Sequence, residues 1–257
     1  MMEEGFRKGK RNTGTRAWMR DAGQVQSLLE TGTMELQGMI PWSSNYTYLV
    51  RVMGGDRELQ AVYKPACGER PLWDFETGTL CNREVAAYLI SADLGWPKIP
   101  LTVLRDGPMG IGAVQQFVEF RRRENFFTVR DRCRDYMLRI AAFDALINNT
   151  DRKGGHILVD DSGEIWCIDH GVTFHEEPKL RTVVWDFIGE PIPAELLGSL
   201  DRLRPHLKSG EPLRRRLDQL LSRSEVRALE GRLNQLLREK AYPAPPEDWP
   251  HIPWPPV

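Results

Sequence analysis

The chain has 257 residues, 41% of them hydrophobic, and its 35 Lys and Arg nearly balance 36 Asp and Glu, for a formal net charge of −1. That length holds one large domain or two small lobes around a cleft, and the balance of charge excludes wholesale adhesion to nucleic acid or to an anionic membrane. No apolar run reaches the ~18–20 residues that span a bilayer, and the 4 cysteines, with no C-x-x-C pair, read as reduced thiols of a cytoplasmic protein.

Residues 1–23 open with Arg7, Lys8, Lys10, Arg11, Arg16 and Arg20 in a stretch of little apolar content, the pattern of a flexible basic lead-in. Residues 24–118 read as a sheet-rich lobe. Alternation over 33–40 predicts a half-buried strand, broken by Pro41-Trp42-Ser43-Ser44-Asn45. Aromatic and β-branched residues over 46–52 predict a second strand, Gly54-Gly55-Asp56 a turn, and 58–64 a third strand that ends in Lys64-Pro65. A helix follows, with Asn82 as its cap and Gly95 as its stop, and then strands over 101–104 and 111–118. The charged run from Glu119 to Glu124 marks a lobe boundary.

Residues 119–240 read as a mainly helical lobe. Apolar residues at helical spacing from Tyr136 to Ile147 bury one face and present the polar loop that follows. Leu213, Leu217, Leu220 and Leu221 form a short amphipathic stripe. Ser222 or Ser224 caps a second one through Val226, Leu229, Leu233, Leu236 and Leu237. Residues 241–257 are too rich in proline for helix or sheet interior, and their tryptophans predict docking onto the body.

The chemistry concentrates between Asn148 and Gly171. The helix gives way to Asn148-Asn149-Thr150-Asp151-Arg152-Lys153-Gly154-Gly155-His156. Val159-Asp160-Asp161-Ser162-Gly163-Glu164-Ile165 then reads as a hairpin turning on Asp-Ser-Gly. A loop of about three or four residues pairs His156 with Ile168 or Asp169, so Asp151, His156 and Asp169 converge at the open end of the hairpin. A loop carboxylate beside two metal-capable groups is what metal-assisted phosphoryl transfer uses. Lys64, at a strand end, can reach phosphate as a point charge. Glu84 on the next helix is the acidic partner to hold it, with Glu69 and Glu76 as fallbacks. Asp144 and Arg152 read as structural, and His170 and His175 as orienting or surface residues.

Asp151-Arg152, the three positions after it, His156, and then Asp169-His170-Gly171 together resemble the catalytic loop and metal-binding strand end of the phosphatidylinositol 3-/4-kinase-like (protein-kinase-like) superfamily. The overall look is similar to a bacterial subgroup of it. The resemblance covers residues 32–174; its loop motif is specific and its glycine-loop counterpart weak. It implies an α+β fold of two kinase-like lobes that binds ATP and a divalent metal, Mg²⁺ or Mn²⁺, between them. It also implies Asp151 and Lys64 as catalytic groups and Ser43, Ser44 and Asn45 as a phosphate-covering turn. Gln116, Phe117 and Val118 become the interlobe segment facing adenine, and His156 and Asp169 the metal ligands.

The departure is His156, where the family has Asn. A neutral imidazole offers nitrogen instead of a hard oxygen and suits borderline transition metals better than Mg²⁺. The implied reaction moves the γ-phosphate to a hydroxyl of a protein, a phosphoinositide-like head group or another small molecule. The alternatives are a nucleotide-binding pseudokinase whose protein partner reads its shape, and a nucleotidyltransferase with ATP reversed.

Overall fold

The computed structural model describes residues 21–41, 43–245 and 250–257. The basic lead-in up to residue 20, Trp42 and Trp249 lie outside the described residues.

The amino-terminal half is built on a five-stranded antiparallel sheet. Its strands are β1 (Thr33–Met39), β2 (Tyr48–Gly54), β3 (Arg57–Pro65), β4 (Thr102–Gly107) and β5 (Gly110–Gln116), in the order β1-β2-β3-β5-β4. Tyr46, expected to open β2, instead donates its amide to Gly68 O at 2.9 Å, so pairing starts at Tyr48. Helix α1 (Ala22–Thr31), absent from the sequence reading, is capped by the Asp21 side chain and buries Val25, Leu28 and Leu29 with the sheet. Its apolar spacing after a capping Asp was legible and was passed over.

Helix α2 (Leu80–Leu94) ends as expected at Gly95, whose φ of 78° is the left-handed stop that glycine tolerates. Its start corrects the reading of Asn82 as cap. Thr79 holds the cap position, and the free N–H groups are taken by Glu69, which accepts from Gly78 at 2.7 Å and from Cys81 at 3.0 Å. A carboxylate at a helix start also suits the positive end of its dipole. Glu69 is therefore occupied as a cap and is not a partner of Lys64.

The carboxy-terminal half holds the short α3 (Phe126–Val129), α4 (Arg134–Ile147), the hairpin β6 (Ile157–Val159) with β7 (Ile165–Cys167), and α5 (Ala194–His206), α6 (Pro212–Leu220) and α7 (Arg223–Glu239). Ser222, not Ser224, caps α7, in a capping box with Glu225. Fully buried Phe143, Leu146, Ile147, Leu200, Leu229 and Leu233 share one core, with α4 running through it. The hairpin pairs Ile157 with Cys167, and His156 O accepts the amide of Ile168 at 3.0 Å, the register read from the sequence. Within the tail, Tyr242 and Pro253 are buried and Tyr242 donates to Leu138 O at 3.0 Å. Trp254 corrects the expectation that tryptophans make the contact, because it is 87% exposed.

Strands β3 and β5 must approach closely where Lys64 leaves the sheet. A Cβ on Gly112 would stand 2.5 Å from Lys64 O, so this glycine is required by space rather than by conformation. Gly112→Ala is expected to destabilise by ~1–3 kcal/mol, the usual range for overpacking. Urea unfolding checks it, and a midpoint equal to wild type would mean that the two strands part at no cost.

Candidate active site

Lys64 projects from the end of β3 to two carboxylates. Its Nζ donates to Glu84 on α2 and, at 2.8 Å, to Asp169 Oδ1 just beyond β7. Glu84 is buried, and its second oxygen accepts the His170 amide at 3.0 Å. Burial works against the Lys64 ammonium, but Asp169 and Glu84 outweigh it and raise its pKa. Burial likewise opposes the Asp169 carboxylate, yet Lys64 and then His156 hold it well below the usual carboxylate range. Asp169 has φ 61°, a left-handed conformation uncommon outside glycine that Asp tolerates better than most.

The other Asp169 oxygen lies 3.2 Å from His156 Nε2. His156 Nδ1 accepts the Lys153 amide at 3.3 Å, so the ring proton sits on Nε2 and faces the carboxylate. Burial is the main cause that lowers the His156 pKa to about 4. The imidazole is neutral at any ordinary pH.

Asp151 stands on the loop after α4. The Asn149 side chain accepts its amide at 3.0 Å, and its carboxylate faces Lys153 Nζ at 3.2 Å and Arg181 Nη2 at 3.5 Å. Burial raises the Asp151 pKa against the opposing pull of Lys153, which makes it the readier to take up a proton. Beneath the loop Arg152 and Asp144, both fully buried, form an ion pair at 3.1 Å. Arg152 also donates to Ile168 O at 2.8 Å and meets His170 Nε2 at 2.7 Å. His170 is therefore interior and orienting. His175 stacks edge-on against Phe75.

Ser43, Ser44 and Asn45 line a cavity together with Lys64, Glu84 and Asp169. Their turn is pinned from behind. Asn45 Oδ1 accepts the Arg70 amide at 2.9 Å, and Ser43 Oγ lies 2.9 Å from Thr47 Oγ1. The Asn45 side chain is thus committed to Arg70. At the other side of the sheet, β5 stops at Gln116, so Phe117 and Val118 are not strand as expected. Gln116 and Phe117 donate their amides to Leu101 O at 2.8 Å and Gln60 O at 3.0 Å. Of the three, Val118 makes no backbone–backbone hydrogen bond through its amide among the described residues.

Among the described residues no group of three or more His, Cys, Asp and Glu side chains could hold a metal ion. Asp169 supplies a carboxylate donor, and His156 Nε2 beside it becomes a second only on giving up its ring proton, because Nδ1 is held by the Lys153 amide. That set fits a cation whose remaining ligands are phosphate oxygens and water, not a closed protein metal centre.

No family model matches the chain. Protein Rv2133c of Mycobacterium tuberculosis (strain ATCC 25618 / H37Rv) is 39% identical over an alignment of 265 positions, gaps included, that covers 89% of this chain and 94% of that protein. The chain belongs to the family of Rv2133c. Two solved structures share the fold of this Rv2133c-family chain. The Helicobacter pylori proinflammatory kinase CtkA is 13% identical with a TM-score of 0.50, over 83% of this chain and 94% of that one. The Golgi casein kinase is 15% identical with a TM-score of 0.50, over 85% and 76%. At such identities the likeness is one of fold, and the fold is kinase-like.

In this Rv2133c-family chain the sequence reading joined Lys64 to Glu84 and brought Asp151, His156 and Asp169 to one hairpin end; the geometry sets Lys64 on both Glu84 and Asp169, His156 on Asp169, and Asp151 against Lys153 and Arg181. It had missed Lys153 and Arg181 at Asp151. Lys153 was within the quoted loop and adjacent to the carboxylate in sequence; Arg181 carried no signal. It had also missed Arg83, which donates to Thr173 O at 3.1 Å and pairs with Glu225.

The depressed His156 pKa sets a pH dependence of stability in metal-free buffer. The unfolded ring takes its proton near 6.5, the folded ring only near 4, so between those values the unfolded chain binds more protons. Stability is complete above 6.5 and falls as pH drops towards 4. Wild type should lose on the order of 3 kcal/mol more than His156→Asn across that window. Urea titrations at a series of pH values check this; parallel profiles would show that the folded ring protonates normally.

Proposed function

We propose that the protein is an ATP-dependent phosphotransferase of the phosphatidylinositol 3-/4-kinase-like type, moving the γ-phosphate to a hydroxyl acceptor. The single observation that carries this reading is Lys64 joined at once to Glu84 and Asp169, with the half-buried Asp151 across the loop. Lys64, already fixed by two carboxylates, holds phosphate oxygens without further ordering of its long side chain. The amides of the turn at residues 43–45 approach the phosphates from above, and Val118 offers its backbone to the base. Asp151 takes the acceptor proton, or orients the hydroxyl for attack. Lys153 and Arg181 keep the Asp151 carboxylate placed. A divalent cation held through Asp169 and His156 would screen the charge of the phosphates.

The acceptor is a protein, a phosphoinositide-like head group or another small molecule. No described helix is long and apolar enough to cross a membrane, and Cys67, Cys81, Cys133 and Cys167 are free thiols, which supports action in the cytoplasm. The replacement of Asn by His156 favours one rival, a nucleotide-binding pseudokinase read by a protein partner.

Saturating ATP with Mn²⁺ or Mg²⁺ should raise the melting temperature, with about 2.7 kcal/mol of stabilisation at a hundredfold excess over Kd. Lys64→Ala should abolish most of that shift. Mass spectrometry of acceptor mixtures should show a gain of one phosphate. Asp151→Asn should reduce the transfer by ~10²-fold or more at nearly unchanged nucleotide affinity. Gain of a nucleotide would establish nucleotidyl transfer, and binding without any product the pseudokinase. No melting shift at all would remove the nucleotide site.

His156 sets a metal preference. Mn²⁺ should support binding or turnover better than Mg²⁺ at equal free concentration, because nitrogen donors suit Mn²⁺ better. Proton competition for the ring is expected only as pH approaches 4, since burial already keeps the ring neutral. His156→Asn should shift the ranking towards Mg²⁺. An identical ranking in wild type and variant would make His156 a purely structural residue.

A further inference from the structure

The tail runs back across the loop that bears Asp151. His251 O accepts the Thr182 amide at 3.0 Å and Trp185 Nε1 at 2.9 Å, and the Trp185 and His251 rings meet edge-on at 6.2 Å. Five residues later, Pro256 O accepts the Gly154 amide at 2.7 Å. A Cβ on Gly155 would stand 3.8 Å from the carbonyl carbon of Val257, so the segment also lies within van der Waals reach of the turn between Asp151 and His156. Pro253, midway between the anchors, is buried, while Ile252 and Trp254 are exposed.

The two anchors fall beside the two cations on Asp151. Gly154 follows Lys153, and Thr182 follows Arg181. Thr182 is itself paired with the loop: Arg152 donates its amide to Arg181 O, and Val183 donates to Arg152 O, both at 3.1 Å. The tail thus adds a third extended segment to the pair that carries Arg152 and Arg181. Arg181 grips the same loop again through Nε to Thr150 O at 2.7 Å.

We propose that residues 251–257 act as a positioning strap for Asp151, holding Lys153 and Arg181 against its carboxylate and walling the acceptor side of the site. This rests on the phosphotransferase reading. The metal-independent nucleotide contacts lie elsewhere, at Lys64 and the turn at 43–45, and among the described residues none of the strap's hydrogen bonds reaches them. Loss of the strap should therefore divide transfer from nucleotide binding.

The test compares wild type with two variants, a deletion of residues 250–257 and full-length Trp185→Phe, which keeps the ring and removes one donor to His251. Three quantities are read: amide hydrogen exchange at Gly154 and Thr182, ATP affinity in metal-free buffer, and the rate of phosphate release from ATP to water with Mn²⁺. Deletion should speed exchange at both amides at least tenfold, slow phosphate release at least tenfold, and change ATP affinity less than twofold. Trp185→Phe should move the first two in the same direction by less, and it decides the matter if the deletion fails to fold. Unchanged exchange, unchanged release, or a loss of ATP affinity in step with release overturns the strap. Absence of release in wild type counts instead against the phosphotransferase reading, and the exchange arm then decides the strap alone.

Discussion

The buried carboxylate of Asp144 is the constraint on which the site depends. It accepts Arg152 Nε at 3.1 Å and Nη2 at 3.1 Å, Asn149 Nδ2 at 3.0 Å and Thr182 Oγ1 at 3.3 Å. Those donors belong to the loop of Asp151 and to the segment that supplies Arg181. Arg152 in turn reaches Ile168 O and His170, on the strand end that turns into Asp169. Charges so deep are costly to bury, and removing one partner of such a pair typically costs ~3–5 kcal/mol because the other is left uncompensated. The pair is thus weak as net stabilisation and strong as a constraint: the loop cannot leave its place without stranding a charge. An Asp within the buried, apolar second half of α4 is the sequence trace of that arrangement.

Helix α2 carries the constraint to the other half of the molecule. Glu84 points to Lys64, while its neighbour Arg83 holds Thr173 O and pairs with Glu225 at the start of α7. Adjacent helix positions are turned by about 100° from one another, so one turn of helix can serve the sheet and the helical half together. Asp93 and His206 add a contact at 2.9 Å between the far end of α2 and α5. The Lys64 and Glu84 pair is therefore set by packing between the halves.

Much of this was legible in the sequence, and the limits have physical causes. Strand positions, the hairpin register, the Gly95 stop and the α7 capping box all rest on local periodicity and turn chemistry, which a single sequence displays; the half-buried face expected of β1 does not form, since only its Met34 is even partly covered and Met39 is 60% exposed. The pairing of Lys64 with Glu84 was legible because a strand end and the following helix have few ways to meet. Helix α5, with Leu196, Leu200 and Leu203 at helical spacing, was readable but went unread. Glu69 as a cap from outside the helix, Arg181 at Asp151, and the tail's backbone contacts depend on tertiary neighbours that no spacing encodes. Trp254 shows the same limit from the other side: an apolar residue suggested contact, but the contact is made by backbone carbonyls and Pro253.

The charges of the site are self-compensating before any ligand arrives. Lys64, Lys153 and Arg181 stand against Glu84, Asp151 and Asp169, while His156 contributes no charge because burial keeps it neutral. A site neutralised in this way has each of its three cations already committed to a carboxylate. Lys64 can meet phosphate only while remaining shared with two carboxylates. A triphosphate entering alone would bring its charge close to Asp169, whereas one entering with a divalent cation would turn that repulsion into ligation. On the proposed phosphotransferase reading the arrangement would couple nucleotide to metal by electrostatics: each should bind weakly alone and tightly together. An Asn at position 156 would leave that coupling intact, since it too is neutral, and would change only which metal is preferred.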